Sequence, residues 1–399
     1  MSASNASYSP ALFSEVLYEK MKRINPGIED LELDEFRYAL DNFCPGNGGW
    51  ASVELGSREE IEKLINRSDF YARIQLKPRV GDRIVLDESI VRLTNMLFVG
   101  LATGEYSAEW VSARFYFDIR GFYFLTRTVY FTDRVLEHFA GRPFRSFERR
   151  QKRFGCYQAV GYRDFKEANA EIDQAFIEIV QKLIAAKGTP ILIAIAGPTG
   201  AGKTEIVERL RRSFAEAGKK AASIEMDNFL TDRDYREREG IHSLGKEAIH
   251  FELFRQALQD ISQGQKIIIP RYDFVYATSS HDLAGNLRAG CAPLEIEPAD
   301  IVFVEGNFPF LLPEVVPLIG IRAVYLTDDP IRLKRKWKRD IDYRKKYEPT
   351  YFRNRFFRDQ FLMAQECYRP QMEVCDIVVD TTGATIWATP GIAAILSPG

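Results

Sequence analysis

Apolar residues recur along the chain at two spacings, and the spacing changes near residue 187. From Asp164 to Lys187 they stand three or four positions apart, which predicts one long amphipathic helix. Gly188 and the following Thr189-Pro190 end that helix. Because a different pattern begins there, we predict two domains, residues 1–187 and residues 188–399.

Beyond residue 188, short apolar runs alternate with stretches of helical spacing. The predicted strands are residues 191–195, 221–226, 266–269, 301–304, 321–326 and 376–379, and a helix is predicted at 247–261. This alternation predicts an α/β domain with a parallel sheet and flanking helices. Ligands of such sheets gather where strands end, so Asp227, Arg271, Asp273 and Glu305 are expected at one edge.

The first half of the chain has a different pattern, in which apolar and polar residues alternate singly. Residues 70–77 predict a strand, and residues 111–119 and 122–131 predict a hairpin around Arg120-Gly121. Residues 59–66 and 133–139 have helical spacing. We therefore predict an α+β domain with mostly antiparallel strands, and its sequence does not indicate a role.

Composition narrows the class of protein. The 399 residues carry a net charge of −2, and the five cysteines are odd in number and lack C-x-x-C spacing. These features favour a cytoplasmic protein with reduced thiols. No apolar run reaches the ~18 residues of a membrane span, and the first residues do not resemble a secretory signal. We expect no membrane partner, and a homo-oligomer stays open.

Arginines and phenylalanines are interleaved over residues 142–154. Such a segment could bind nucleic acid. It could equally be a surface segment anchored by its aromatic rings. The balanced charge of the whole chain favours the surface segment and counts against a nucleic-acid partner.

Residues 197–204 read G-x-x-x-x-G-K-T between a predicted strand and a predicted helix, the context of a phosphate-binding loop. Glycines let the backbone turn its amides inward, and the helix adds its positive end. Lys203 would contact the phosphates, and the Thr204 hydroxyl would bind Mg²⁺. The predicted nucleoside triphosphate site comprises Gly197, Pro198, Thr199, Gly200, Ala201, Gly202, Lys203 and Thr204.

Two carboxylates follow predicted strands. Asp227 could take the proton of an acceptor hydroxyl, although an aspartate there could also cap a helix. Glu305 could bind Mg²⁺ with Thr204, although it could also form an ion pair at the strand end. Gly306 would leave room for a ligand beside it.

Two further segments combine charge with aromatic rings. Pro270-Arg271-Tyr272-Asp273-Phe274 offers rings for stacking and charged groups for hydrogen bonds to an acceptor, or else forms a turn with buried rings. Residues 332–346 are strongly basic. Most of these charges are expected on a solvated helix face, with one or two arginines closing over the phosphates.

These motifs together resemble the uridine kinase and phosphoribulokinase family of P-loop kinases over roughly residues 190 to 382. The resemblance implies a parallel five-stranded core, ATP as the nucleotide and Mg²⁺ as the metal. By the resemblance, Asp227 is the catalytic base, Glu305 is the acid near the metal, and Arg339 and Arg344 are lid arginines. By the same resemblance, Tyr272 and Phe274 are rings that contact the acceptor.

The residues that read a nucleoside in uridine kinases are not kept. Leu244 stands where the resemblance implies a ribose-binding aspartate, and Ala277 stands where it implies a histidine. Leucine cannot accept hydrogen bonds from a diol, and alanine cannot read a pyrimidine edge. The acceptor is therefore expected to be a different hydroxyl compound, such as another nucleoside, a sugar, a sugar phosphate or another small alcohol.

Three functions stay open at this point. The first is an ATP-dependent phosphotransferase with an alcohol as acceptor. The second is a nucleotide-gated ATPase switch acting through the first half, and the third is a binding protein with a regulatory nucleotide site. The N-K-x-D motif of GTPases and the L-S-G-G-Q signature of transport ATPases are absent from the sequence. A switch does not need the acceptor-side set of Asp227, Tyr272 and Asp273, so the kinase is favoured.

Overall fold

The structure is a computed structural model, and part of the chain is described by it. The described residues are 10–25, 28–29, 31–41, 43–46, 48–67, 70, 77–80, 83–85, 87–118, 123–148, 162–241, 245–327, 331–332, 335 and 360–397. Several predicted features lie outside them. These are Arg339 and Arg344, the Leu244 position, the Arg120-Gly121 turn, residues 149–154, and most of the 70–77 strand and of the 332–346 segment.

The chain forms two compact units that are interleaved along the sequence. The first contains the described residues up to Val129 together with Tyr162, Gln360 and Phe361. The second contains the remaining described residues from Tyr130 onward. The sequence instead predicted one division at residue 187. In the structure, residues 130–148 and the long helix before Gly188 belong to the second unit.

The first unit is mainly helical. Its elements are α1 (Pro10–Ile24), α2 (Leu33–Asp41), α3 (Arg58–Ile65), β1 (Lys77–Val80), β2 (Arg83–Val85), α4 (Glu88–Thr103), α5 (Ala108–Arg114), β3 (Phe115–Asp118) and β4 (Tyr123–Thr126). Strands β1–β2 and β3–β4 form two antiparallel pairs. The predicted helix at 59–66 corresponds to α3, and the predicted antiparallel strands are present.

The strand predicted at residues 111–119 is wrong in its first half. Ser107 caps α5 by accepting a hydrogen bond from the Trp110 amide, and the helix then continues to Arg114. Strand β3 begins only at Phe115. A capping serine favours a helix over the β-propensity of the valine and aromatic residues that follow it.

A seven-stranded sheet organises the second unit. Its elements are α6 (Asp133–His138), β5 (Arg145–Ser146), α7 (Tyr162–Lys187), β6 (Ile191–Ala196), α8 (Lys203–Glu216), β7 (Ala221–Glu225), α9 (Arg233–Arg238), α10 (Phe251–Ser262), β8 (Ile267–Ile269), β9 (Tyr272–Asp273), β10 (Thr278–Ser279), β11 (Leu294–Ile296), β12 (Ile301–Gly306), β13 (Ile321–Leu326), α11 (Arg369–Met372), β14 (Ile377–Asp380), β15 (Thr385–Ala388) and α12 (Pro390–Leu396). The strand order is β5-β15-β14-β13-β6-β12-β7.

Five neighbouring strands of this sheet, β14-β13-β6-β12-β7, are parallel. Strands β15 and β5 extend the sheet in antiparallel pairing. The predicted α/β fold with a parallel five-stranded core is therefore confirmed. Strand β6, which precedes the phosphate-binding loop, lies between β13 and β12, so every one of its residues is buried.

Alternate residues of the parallel strands face two separate apolar cores. Ile191, Ile193 and Ile195 pack with α7, α8 and α12 on one face. Leu192, Ala194 and Ala196 pack with α10 and residues 363–375 on the other. Because both faces are covered, these strands are nearly continuous apolar runs, as expected for a buried parallel sheet.

Buried Asp173 joins three elements on the α7 face. It accepts hydrogen bonds from Arg209 on α8 and from the Tyr325 hydroxyl on β13. Burial raises the pKa of the Asp173 carboxyl, against the opposing effect of the Tyr325 and Arg209 hydrogen bonds. The long helix is thus tied by polar contacts to the helix that begins at the phosphate-binding loop.

Two predictions in the second unit are corrected. The helix predicted at 247–261 is a short 3₁₀ turn at Lys246–Ala248 followed by α10, because Ile249 forms a β-bridge with Leu230. The strand predicted at 266–269 corresponds to β8, but it pairs antiparallel with β11 outside the seven-stranded sheet. Arg271 and Asp273 therefore do not lie at the end of a strand of that sheet.

None of the described helices is both long enough and apolar enough to cross a membrane.

Candidate active site

The loop between β6 and α8 has the backbone that a phosphate site requires. Gly197, Gly200 and Gly202 all have positive φ angles, of 152°, 79° and 108°. At Gly197 a Cβ would lie 2.2 Å from the carbonyl oxygen of Tyr325 on the neighbouring strand. A glycine is thus required there both by conformation and by close packing of the backbone.

The carbonyl groups of this loop are bound by cationic and hydroxyl side chains. The Lys203 ammonium donates to the carbonyls of Gly197 at 2.8 Å and Pro198 at 3.2 Å. Arg332 donates to Thr199, while Arg335 donates to Gly200 at 3.0 Å and Ala201 at 2.9 Å. Side-chain donors thus hold five consecutive carbonyls, from Gly197 to Ala201, and so restrict the backbone of the loop.

Arg332 and Arg335 were not singled out by sequence reasoning, which favoured Arg339 and Arg344 within the same basic run. The guanidinium of Arg332 also donates to the Tyr130 hydroxyl at 3.2 Å, and Arg332 is fully buried. Their spacing of three residues would place both on one helix face, and this was the available signal. Only the fold shows which loop that face contacts.

Glu305 on β12 lies directly beside the first turn of α8. Its carboxylate accepts a hydrogen bond from the Thr204 hydroxyl at 3.1 Å, and the residue is 5% exposed. Burial raises the pKa of Glu305 to about 7, with Lys203 opposing the shift and the nearby carboxylates of Glu225 and Asp227 adding to it. The pair predicted to bind the metal is therefore adjacent in space.

The surroundings of Glu305 fit a hard divalent cation. Hydroxyl and carboxylate oxygens are the donors that Mg²⁺ prefers, and a cation there would favour the ionised form of the acid. Mg²⁺ typically takes only one or two protein oxygens and fills its remaining positions with water and phosphate oxygens. The Thr204 hydroxyl and the Glu305 carboxylate could supply that number.

Asp227 lies close to this group, one strand further along the sheet. It belongs to a 3₁₀ turn, Met226–Phe229, that follows β7, and it is half-buried. Residues Glu225 and Glu305 are register partners on the adjacent strands β7 and β12. Asp227 is therefore near the metal-binding pair but is carried by a different element.

The segment Pro270–Phe274, which we call the acceptor segment, is attached to the turn that carries Asp227. The side chain of Asn228 accepts a hydrogen bond from the Tyr272 amide at 3.2 Å. Tyr272 is 5% exposed, its hydroxyl accepts from Arg236 at 3.3 Å, and its ring packs against Phe274 at 5.2 Å between centroids. The predicted motifs around Asp227 and Tyr272 are thus brought together, with Tyr272 buried among protein atoms.

The other predicted acceptor residues have different surroundings. The Asp273 carboxylate accepts hydrogen bonds from the amides of Val275 and Tyr276, at 2.8 and 3.0 Å, and so holds its own turn. The Arg271 side chain is exposed, and its backbone amide is bonded to Ser280. Phe274 is half-buried beside Tyr272.

Gly306 serves packing at its position on β12. A Cβ there would lie 2.5 Å from the Cβ of Met226, so glycine lets β12 and the turn after β7 approach closely. The expectation that Gly306 leaves room for a ligand is replaced by this contact between two protein elements. Ala277 is buried in a turn with a φ of 58°.

A buried polar network stands behind the acceptor segment. Asp232 is bound by Arg288 at 2.7 Å and by the Ser279 amide at 2.7 Å. The His250 ring contacts the Ser279 hydroxyl, and the His281 ring contacts that of Ser280. Burial lowers the pKa of both histidines, and His281 lowers that of His250 further.

Comparison with known proteins supports the family resemblance that these motifs indicate. Residues 192–386 match the model of the Phosphoribulokinase / Uridine kinase family. The predicted resemblance over roughly residues 190 to 382 is therefore confirmed. This stretch contains the phosphate-binding loop, Asp227, the acceptor segment and Glu305.

Curated relatives are similar to this chain over the same region. The uridine kinase of Leuconostoc citreum is 28% identical over 158 residues, which is 39% of this chain and 70% of the relative. That of Clostridium novyi is 28% identical over 202 residues, 49% of this chain and 88% of the relative. Among solved structures, a D-glycerate 3-kinase from Cryptococcus neoformans is 13% identical, with a TM-score of 0.38, over 54% of this chain and 99% of its own.

Proposed function

We propose that this chain is an ATP-dependent small-molecule kinase that transfers the γ-phosphoryl group to a hydroxyl acceptor. The observation that carries the proposal is the grouping of Lys203, Thr204, Glu305 and Asp227 at one edge of the parallel sheet. A phosphate-binding loop alone serves many reactions. A second carboxylate beside it, on a separate turn joined to an aromatic segment, supports a site for an acceptor.

The chain's own residues divide the work of the transfer. Asp227 would accept the proton of the acceptor hydroxyl as its oxygen forms a bond to the γ-phosphorus and the bond to the β-phosphate oxygen breaks. Lys203 would move from the loop carbonyls to the phosphates and offset their charge. Mg²⁺, held through Thr204 and Glu305, would supply further positive charge to the phosphate oxygens.

Arg339 and Arg344 stay predicted lid residues, since they lie outside the described part of the chain. Arg271, Asp273 and Phe274 stay predicted acceptor contacts. For the first two, closure of the segment onto an acceptor would be required, because one is exposed and the other binds its own turn.

The alternative function is an ATPase switch whose nucleotide site acts through the first unit. Acceptor dependence of ATP turnover separates the two. The purified chain would be incubated with ATP, Mg²⁺ and a panel of nucleosides, sugars, sugar phosphates and hydroxy acids. ADP would be measured by a coupled assay and phosphorylated products by mass spectrometry.

If the chain is a kinase, one acceptor class should strongly stimulate ADP release. The phosphorylated acceptor should then form in an amount equal to the ADP released. Flat ADP release, with inorganic phosphate as the product whatever the acceptor, would instead identify an ATPase. Uridine serves as a reference acceptor because the relatives are named uridine kinases. This chain lacks the aspartate and the histidine that the family resemblance implies for binding uridine.

A further inference from the structure

The acceptor side of the site contains a buried cation that forms no ion pair with a carboxylate of the described residues. Arg236 on α9 is 5% exposed. Its guanidinium donates to the carbonyl of Thr231 and to the Tyr272 hydroxyl, and lies over the Tyr272 ring at 5.7 Å. Within the described part of the chain, no carboxylate oxygen lies within 4.0 Å of it.

Asp232, four residues before Arg236, is bound by another arginine. Asp232 forms a two-pronged ion pair with Arg288, at 2.7 and 3.1 Å, and also binds the Ser279 amide. Arg288 thus has a carboxylate partner, whereas Arg236 has a carbonyl and a phenol. Neither of these neutral groups compensates a full charge.

A buried guanidinium without a counter-ion is unfavourable, because it loses water and gains no opposite charge. An anionic ligand would supply the missing charge through charge-assisted hydrogen bonds. Arginine is well suited to this, since its fork of five N–H donors matches a carboxylate or a phosphate. Two of the five are engaged by the carbonyl and the phenol.

Arg236 is linked by hydrogen bonds to the turn that carries the proposed base. It is bonded to Tyr272, Tyr272 is bonded to Asn228, and Asn228 follows the proposed base Asp227 directly. These contacts join α9, through Tyr272, to the turn that carries Asp227.

We propose that the acceptor carries its own anionic group, a carboxylate or a phosphate ester, and that Arg236 binds that group. This inference rests on the proposed kinase function and names its substrate class. It distinguishes an acidic alcohol from the neutral nucleosides, which bring no charge to α9. Arg236 is thereby a specificity-determining residue, while Asp227 performs the proton transfer.

Matched acceptor pairs test the proposal with the intact chain. Glycerol is compared with glycerate, and ribose with ribose 5-phosphate, by the kcat/KM of ADP formation and by mass spectrometry of the product. We expect an anionic member to exceed its neutral partner by about 10- to 100-fold, the range of one charge-assisted hydrogen bond. The two pairs separate a carboxylate from a phosphate.

Variants then assign the preference to Arg236. Arg236→Gln is expected to lower kcat/KM for the anionic acceptor by about 10- to 100-fold, mainly through KM, and to change the neutral acceptor by less than about threefold. Arg236→Lys keeps a charge and should recover part of the loss. Arg238→Gln, an exposed position on the same helix, should leave both acceptors unchanged.

The outcomes distinguish this inference from the function on which it rests. If a neutral nucleoside or sugar is the preferred acceptor, the kinase stands and the anionic acceptor is refuted. If Arg236→Gln reduces both members of a pair equally, the assignment to Arg236 is refuted. If no acceptor stimulates ADP release, both proposals fall. Should Arg236→Gln not fold, the wild-type preference between pair members decides.

Discussion

At the scale of single residues, the site depends on side chains whose ordinary chemistry is changed by where the fold puts them. Glu305 is an acid with a pKa near 7, because it is buried beside two other carboxylates. Asp227 lies close to the same group but is half-exposed, on a turn that also supports Tyr272. The two acids therefore lie in different environments, as the different roles proposed for them would require.

Replacing Asp227 by Asn should nearly abolish transfer to the acceptor. Asparagine has a similar shape but cannot take a proton, so kcat is expected to fall by about 100- to 10,000-fold. ATP affinity, measured by isothermal titration, should change little, because Asp227 is not part of the phosphate-binding loop. Unchanged product formation in this variant would refute the role of Asp227 as the base.

Replacing Gly197 by Ala should remove nucleotide binding. The added Cβ would meet the Tyr325 carbonyl oxygen at 2.2 Å, so the loop and β13 would have to separate. Gly218→Ala is the matched control, because that glycine also has a positive φ but no atom within 4 Å of the added carbon. The control should bind ATP normally and lose only about 1 kcal/mol of stability.

At the scale of elements, the phosphate-binding loop is shaped by neighbours that come from distant parts of the chain. Arg335 and Arg332 bind its carbonyls, and Thr327 after β13 donates to the carbonyl of Ala201 at 2.8 Å. The acceptor segment is likewise held from behind by the network of Asp232 and Arg288. Both halves of the site are therefore preorganised by contacts that the motifs themselves do not contain.

Replacing Arg335 by Gln should weaken ATP binding without removing it. The variant loses charged hydrogen bonds to the Gly200 and Ala201 carbonyls, and the loop becomes less preorganised. A rise in Kd of about tenfold is expected, measured by isothermal titration. Arg255→Gln, which removes an exposed ion pair on α10, should leave the Kd unchanged.

The histidine pair behind the acceptor segment should make stability depend on pH. Burial lowers the pKa of His250 in the folded chain, while the unfolded chain keeps the ordinary value of about 6.5. Below that value the unfolded state takes up a proton that the folded state resists. Stability from this group is therefore present above about pH 6.5 and is lost as pH falls below it.

Chemical unfolding at pH 7.5 and pH 5.5 checks this expectation. The free energy of unfolding should fall less between these two pH values in His250→Gln than in the wild type. His281→Gln should show the same sign, because its pKa is lowered as well. An equal fall in the wild type and in both variants would contradict the assignment of the pH dependence to these rings.

At the scale of the whole molecule, the chain forms two units whose sequences interleave. The sheet of the second unit gains its outer strand β5 from residues that precede the long helix α7. Helix α6 contributes as well, since the His138 ring contacts the Cys375 carbonyl at 2.7 Å. The second unit therefore needs residues from before the predicted division at 187.

A chain that begins at Gly188 should not fold cooperatively. It would lack α7, whose apolar side chains cover one face of the sheet, and each such side chain contributes about 1.5–3 kcal/mol. The main side chains lost are Ile172, Phe176, Ile179, Val180, Leu183 and Ile184. Their sum rivals the total stability of a typical domain, about 5–15 kcal/mol.

A chain that begins at Tyr130 keeps α6, β5 and α7, and it should show a cooperative thermal transition by circular dichroism. Cooperative unfolding of the shorter chain at a similar temperature would mean that residues 130–187 are dispensable for the second unit. The comparison thus tests whether the boundary lies at residue 187 or near residue 130.

The sequence by itself determined the elements that depend on local chemistry. The phosphate-binding loop, the strands at 191–195, 301–304 and 321–326, and the helix ending before Gly188 could all be predicted. In each, apolar periodicity, glycines and capping signals agree with one another. The family resemblance followed from the same local motifs.

Only the tertiary structure decided which of these elements meet. The antiparallel pairing of β8, the loop contacts of Arg332 and Arg335, and the contact of Arg236 with Tyr272 arise between residues far apart in the chain. The local sequence pattern does not predict such contacts. A charged residue looks the same in the sequence whether its side chain is solvated, binds a carbonyl or pairs with a carboxylate. Burial and partner are properties of the fold, and they set the chemistry of the site.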